Sequence, residues 1–193
     1  MQQKSTKKIV WALTALAVGS CLWLSSCTAK QKWNEEQRRE ARQMIREWRE
    51  IAYLNALSEA EFTLFAGEVA DLLEAEWPNY VEFIEMPMVG DSVEMVIITT
   101  IAGELKATPE RMRNIFPYGR LVDMEILPAA LSVAHQESFY RCFTEKVNTL
   151  YGSLQRFVWD AIYSRLDDAI ILRLMRQCAS PYWEVDMVII EED

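Results

Sequence analysis

Whether this chain forms a β-sheet depends on one stretch, residues 92–101, which reads SVEMVIITTI. Seven of these ten residues are β-branched, and such side chains fit the surface of a pleated strand. The Gly-Asp pair at residues 90–91 is typical of a two-residue hairpin turn, so the partner strand would be residues 80–89. Pro87 places that partner at the edge of the sheet, because proline cannot donate a ladder hydrogen bond. The sequence therefore predicts a β-hairpin, although the Asp-x-x-Glu pattern at residues 91–94 could instead cap a helix.

A third strand is predicted near the C-terminus, at residues 183–191. Within it, residues 186–190 (DMVII) are similar to residues 94–98 (EMVII). Five residues are too few to establish an internal duplication, so we interpret the similarity as two buried strands of one sheet. A small antiparallel sheet would thus be formed by residues 80–101 and 182–191.

Helices are predicted for most of the remaining chain. Apolar residues at steps of three and four predict a helix within residues 33–57, and Ser58 with Glu61 forms a capping box that opens the next helix. Pro78 ends that second helix, and the two helices should pair as an antiparallel hairpin. Further helix starts are predicted at Thr108-Pro109, Ser132, Ser153 and Asp167 or Asp168. The predicted fold class is α+β, mainly α, with a helical hairpin and further helices packed on a small antiparallel sheet.

The first 27 residues have the layout of an export signal. Lysines at positions 4, 7 and 8 precede an apolar run at residues 9–24, and two serines then lead to Cys27. The tetrapeptide Leu24-Ser25-Ser26-Cys27 resembles the lipobox of bacterial lipoproteins, in which lipid is attached to the cysteine. This resemblance implies that lipid on Cys27 anchors the chain to a membrane.

The resemblance also implies a division of the chain. Residues 1–26 would be the signal peptide, residues 27–32 the lipidated cysteine and a short tether, and residues 33–193 a single globular domain. Cys21 is an alternative lipidation site, but a cut there would leave apolar residues directly after the anchor. A retained transmembrane helix is a further alternative, although the apolar run is shorter than the roughly 20 residues that a bilayer core requires.

Export bears on the location of the chain and on its cysteines. Thr28 stands where an aspartate would favour retention in the inner membrane, so the resemblance implies a lipid anchor in the outer membrane, facing the periplasm. Of the four cysteines, Cys142 and Cys178 remain in the globular part. An oxidising compartment allows them to form a disulfide. Cys178 also falls on the apolar spacing of a helix, where a free cysteine would be buried, so both interpretations stay open.

The mature chain is acidic. Without the three lysines of the signal, it has 17 basic and 29 acidic residues, a net charge of −12. This charge argues against nucleic acid as a partner, because phosphates require a basic surface. Residues 28–50 differ, with seven basic and five acidic residues. Their arginines would either form helical pairs such as Glu35–Arg39 and Arg46–Glu50 or lie near the headgroups of the membrane.

Most familiar catalytic and metal-binding patterns are missing from the sequence. His135 is the single histidine, so zinc sites built on paired histidines are excluded, and no CxxC pair supplies thiolates. Phosphate-binding glycine loops and the GxSxG nucleophile pattern do not occur either. We therefore expect no metal and no cofactor. His135 is expected near the exposed start of a helix, where nothing nearby suggests a catalytic role.

The clearest local departure from acidity is the segment at residues 106–120. Its basic and amide side chains, together with Phe116 and Tyr118, could bind an anionic group or stack on a sugar or peptide. The alternative is that the arginines pair with surrounding carboxylates. The predicted ligand-binding residues are Lys106, Arg111, Arg113, Asn114 and Arg120.

Two functions are consistent with these features. The first is a non-enzymatic binding or assembly module in the cell envelope, anchored through lipid and contacting an envelope protein or polymer. The alternative is a hydrolase of envelope glycans that uses two carboxylates. Glu94 and Asp186, on the predicted strands, are the candidates for that pair.

Overall fold

A computed structural model describes residues 32–184. The lipobox with Cys27, and residues 185–193 with Asp186, lie outside the described residues. Nine α-helices and two 3₁₀ helices occur in the described part of the chain. The α-helices are α1 (Glu35–Arg46), α2 (Ala52–Asn55), α3 (Glu59–Glu76), α4 (Tyr80–Ile84), α5 (Val89–Ala107), α6 (Tyr118–Asp123), α7 (Val133–Tyr151), α8 (Leu154–Ile162) and α9 (Asp168–Glu184), and the 3₁₀ helices are Glu47–Glu50 and Pro109–Asn114.

The predicted sheet is wrong, because residues 32–184 contain no strand and form an all-helical fold. The β-branched stretch at residues 92–101 lies inside α5, and the predicted edge strand is replaced by α4 and a turn. Trp183 and Glu184, at the start of the predicted third strand, belong to α9. Nor do residues 90–91 form a hairpin turn, since they lie in the first turn of α5.

Burial explains why α5 is a helix. It contacts α3, α8 and the 3₁₀ helix Pro109–Asn114, so it is covered from several directions, and Ile97, Ile98 and Ile101 are fully buried. A helix that is covered in this way needs apolar residues on most of its faces and loses the amphipathic pattern. The helix propensity that β-branched residues lack is worth a few tenths of a kcal/mol each, whereas burying each side chain contributes about 1.5–3 kcal/mol. Tertiary packing therefore outweighs the local preference.

The N-terminal hairpin is interrupted. Residues 33–57 do not form one helix: α1 ends at Arg46, a 3₁₀ helix follows, and α2 begins at Ala52. The predicted capping box is confirmed, because the Ser58 hydroxyl accepts from the Glu61 N–H while the Glu61 carboxylate accepts from the Ser58 N–H. α1 packs against α3. The hairpin thus exists, with a bend just before α2.

A disulfide joins the C-terminal helices. Cys142 of α7 and Cys178 of α9 are bonded, with their Cα atoms 5.9 Å apart. Two predicted helix boundaries nearby are confirmed: the Ser132 hydroxyl caps α7, and Gly152 ends α7 in the left-handed conformation just before Ser153 caps α8. These helices and α5 share one apolar core with α3.

Candidate functional site

The predicted basic cluster does not form one site. Arg111 turns towards the core, where its Nη1 lies 3.2 Å from Glu104 Oε2. Lys106 and Arg113 are exposed, and Asn114 is half-buried. Arg120, on α6, lines a depression beside α9 that Arg111 does not line. The interpretation that the arginines pair with carboxylates therefore holds for Arg111.

Arg111 belongs to a polar cluster at the edge of the core. The Tyr53 hydroxyl and the Arg111 guanidinium both donate hydrogen bonds to the Glu104 carboxylate. Burial raises the pKa of Tyr53 above its ordinary value, and the hydrogen bond to Glu104 raises that pKa further. The phenol is thus protonated at neutral pH and acts as a fixed donor. Such an arrangement holds α2 against α5 and the 3₁₀ helix; it does not resemble a base poised to accept a proton.

Of the predicted carboxylate pair, Glu94 lies in the described part of the chain. Glu94 does not lie on a solvent-facing strand but is a buried residue of α5, with its Oε1 accepting from the Tyr163 hydroxyl at 2.5 Å. This hydrogen bond is the main reason why the pKa of Tyr163 is raised. Its proposed partner, Asp186, lies outside the described residues. Glu94 therefore has a structural role, fixing the end of α8 to α5.

His135 lies in the first turn of α7. It is exposed, and its ring centroid is 5.5 Å from that of Tyr182. Across residues 32–184, no group of three or more histidine, cysteine or acidic side chains is arranged to hold a metal ion.

A mainly apolar cavity of about 350 Å³ opens at the surface between the start of α2, α5 and α8. Its floor consists of core residues, namely Tyr53, Ile101 and Val158, which are at most 2 % exposed. The cavity therefore ends against the hydrophobic core. A volume of a few hundred Å³ with mainly apolar walls is typical of small-ligand sites.

The walls and rim of the cavity come from three separate segments. Half-buried Ile51, Ile115 and Ile162 form aliphatic walls, and Ala161 leaves room between them. Glu50 is exposed at the rim and is the one charged residue that lines the cavity within the described chain. The only other polar side chain there, the Tyr53 hydroxyl, is engaged with Glu104.

The side chains that line this cavity offer little for catalysis. Acid–base chemistry needs a donor and an acceptor within hydrogen-bond reach of a substrate, and covalent catalysis needs a nucleophile next to a base. Neither arrangement occurs among the described residues that line it. The sequence gives no sign of this cavity, because its residues are up to about a hundred positions apart and each fits an ordinary apolar helix pattern.

Comparison of the chain with known proteins gives no relative: no family, curated protein or solved structure matches it. Among helices of residues 32–184, none has the length and apolar composition needed to cross a bilayer.

Proposed function

We propose that this chain is a lipid-anchored, exported protein of the cell envelope whose helical domain is a non-enzymatic binding module. The observation that carries the proposal is the cavity between α2, α5 and α8, which is lined by apolar side chains and reaches the core. Water in contact with such walls is unfavourable, at about 25 cal/mol per Å² of apolar surface. A ligand or partner group that displaces this water gains that free energy.

The disulfide supports an exported location. Disulfides persist in oxidising compartments such as the bacterial periplasm and are rare in reducing ones. In this structure the bond links α7 to α9, so it stabilises the domain as a whole. An outer-membrane anchor on Cys27, facing the periplasm, is consistent with this chemistry.

The start of the domain supports a short tether. Trp33 is buried, and its indole N–H donates to the Trp77 carbonyl at 2.9 Å. Only five residues separate Cys27 from Trp33, which limits the span to about 20 Å even when fully extended. The domain would therefore stay close to the membrane surface.

The arginines of α1 do not require a lipid headgroup. Arg38 lies 2.6 Å from Glu74, and Arg46 lies 2.8 Å from Glu59, so both are paired with carboxylates of α3. The two pairs predicted within the first helix are replaced, because Arg39 meets Glu36 and Arg46 meets Glu59. We therefore assign the basic face of α1 to packing on α3.

Co-purification tests the binding function. The full chain would be extracted with mild detergent and compared with Ala161→Phe, which fills the cavity, and with Ala75→Phe, an exposed position on α3 that lines a different depression. We expect a protein or small molecule to be recovered with the wild type and with Ala75→Phe, and to be lost with Ala161→Phe. Equal recovery of the bound molecule with all three chains would contradict the proposal. So would repeated purification of the wild-type chain with no bound protein or small molecule.

The anchor has its own test. Cys27→Ser should prevent attachment of lipid and lower the amount of the chain in the membrane fraction. Cys21→Ser should change neither the lipid attachment nor that amount. Mass spectrometry of the mature N-terminus identifies the modified cysteine. Lipid on Cys21, or a membrane-bound chain without lipid, would contradict the predicted anchor.

A further inference from the structure

We propose that the cavity between α2, α5 and α8 accepts an alkyl chain whose head group is neutral or cationic. This inference rests on the proposed binding function and names the class of ligand. It follows from the composition of the walls, from the single charge at the rim and, among the described residues, from the lack of a free polar side chain below the rim.

The walls require hydrocarbon. Below the rim, the cavity has one polar side-chain group, the Tyr53 hydroxyl, which already donates its hydrogen bond to Glu104. A sugar, nucleotide or peptide backbone placed there would leave its own donors and acceptors unpaired, at about 1–3 kcal/mol for each group. That cost excludes polar ligands from the interior.

The composition of the lining favours an aliphatic chain over a flat aromatic ring. Isoleucine and valine side chains make up most of the lining, and Tyr53 is the one aromatic residue among the described lining residues. Stacking therefore contributes little. An alkyl chain can lie against the half-buried side chains of Ile51, Ile115 and Ile162, while its head group stays at the solvent-exposed rim.

The rim selects the head group by charge. Glu50 has no ion pair in the described part of the chain, because Arg46, its expected partner, binds Glu59 at 2.8 Å. The neighbouring Arg49 is also engaged, donating to the Leu57 carbonyl at 2.8 Å and lying over the Phe62 ring. A carboxylate head group would be repelled by Glu50, whereas an ammonium group would be attracted.

Photolabelling of membranes that contain the full chain tests this inference. Three probes would carry the same dodecyl chain with a diazirine near its end, and would differ only in an ammonium, hydroxyl or carboxylate head group. Labelled peptides are mapped by mass spectrometry, in the wild type and in Ala161→Phe, Glu50→Gln and Glu47→Gln. Glu47 is exposed one 3₁₀ turn before Glu50 and serves as the matched control.

The expected result is labelling of the peptides that contain Ile115 and Ile162, with loss of that labelling in Ala161→Phe. Glu50→Gln should lower ammonium labelling about two- to five-fold relative to hydroxyl labelling, the size of an exposed charge interaction. Glu47→Gln should leave the ratio of ammonium to hydroxyl labelling unchanged. Because Glu50→Gln alters only the surface, it tests the head-group preference even if Ala161→Phe fails to fold.

Other outcomes would overturn the inference. Absence of labelling at the cavity, equal labelling by the carboxylate and ammonium probes, or an equal effect of Glu47→Gln would each do so. If the probes do not label the cavity but Ala161→Phe still loses a co-purifying protein, the alkyl ligand is wrong while the binding function stands. If co-purification is also independent of Ala161, the binding function itself fails.

Discussion

Reduction of the Cys142–Cys178 disulfide should remove a large part of the stability of the domain. The two cysteines are 36 positions apart, so the bond closes a loop that spans about half of α7, all of α8 and more than half of α9. In the chain-entropy description, a loop of this length stabilises the folded state by about 4 kcal/mol. Domains of ordinary size have total unfolding free energies of about 5–15 kcal/mol. The reduced chain should therefore retain an unfolding free energy of only about 1–11 kcal/mol.

The assay is urea unfolding followed by far-UV circular dichroism, with and without reductant. The Cys142→Ala, Cys178→Ala double variant is the control, because reductant cannot act on it. We expect the wild-type midpoint to fall in reductant to near that of the double variant, and the double variant to be insensitive to reductant. A small remaining difference reports the packing of Cys178, which is buried. If reductant changes the unfolding free energy of the wild type by less than about 1 kcal/mol, and mass spectrometry shows that both thiols are free, the proposed role of the loop closure is wrong.

Three further predictions concern local features. Tyr53→Phe should cost about 1 kcal/mol in urea unfolding, because Glu104 loses one of its two partners. The pKa of Tyr53 is raised in the folded state, so wild-type stability should fall as pH rises past about 10, where tyrosines of the unfolded chain ionise. Stability should fall less steeply with pH in Tyr53→Phe. Parallel plots of unfolding free energy against pH for the two chains would contradict this. Ser58→Ala should cost about 1 kcal/mol through loss of the α3 cap, and an unchanged thermal midpoint would contradict it. Met88→Gly should leave the unfolding free energy unchanged or raise it by up to about 1 kcal/mol, because Met88 is exposed and its backbone is in the left-handed conformation. Gly152→Ala should lower the unfolding free energy by a similar amount, because Gly152 has the same kind of backbone conformation. Thermal melts in which the two effects have the opposite signs would refute the backbone assignment.

Signals confined to a few neighbouring residues were sufficient to predict several helix boundaries. Ser58 with Glu61, Ser132 and Gly152-Ser153 each act through hydrogen bonds or backbone angles within one turn. Such features are encoded locally, so the sequence and the structure agree on them. The bend before α2 is different, since the apolar spacing in α1 continues through Trp48 and Ile51 without any break.

The fold class could not be predicted from local preference. The stretch at residues 92–101 has strand-forming composition, yet it forms the middle of a helix that is covered from several directions. Its threonine hydroxyls are satisfied within the helix, with Thr99 and Thr100 donating to the carbonyls of Met95 and Val96 at 2.8 Å. Only knowledge of what surrounds this segment separates the two interpretations.

The candidate site also depends on distant contacts. Glu104 lies 51 positions from Tyr53, and the cavity brings together segments near residues 51, 101 and 160. Sequence patterns identified Arg111 as a ligand-binding residue because its neighbours are basic, but its partner is a carboxylate one helix earlier. Glu50, in contrast, looked like half of a helical ion pair and is instead the charge at the rim.

Site-specific photo-cross-linking in living cells tests most directly whether the cavity is where this protein binds. A photoreactive amino acid would replace Ala52 at the rim, or Ala75 on the exposed surface of α3 as the control. We predict a discrete adduct from position 52, none from position 75, and loss of the adduct when Ala161→Phe is added. An adduct that forms equally from both positions, or that survives Ala161→Phe, would show that binding does not occur through this cavity.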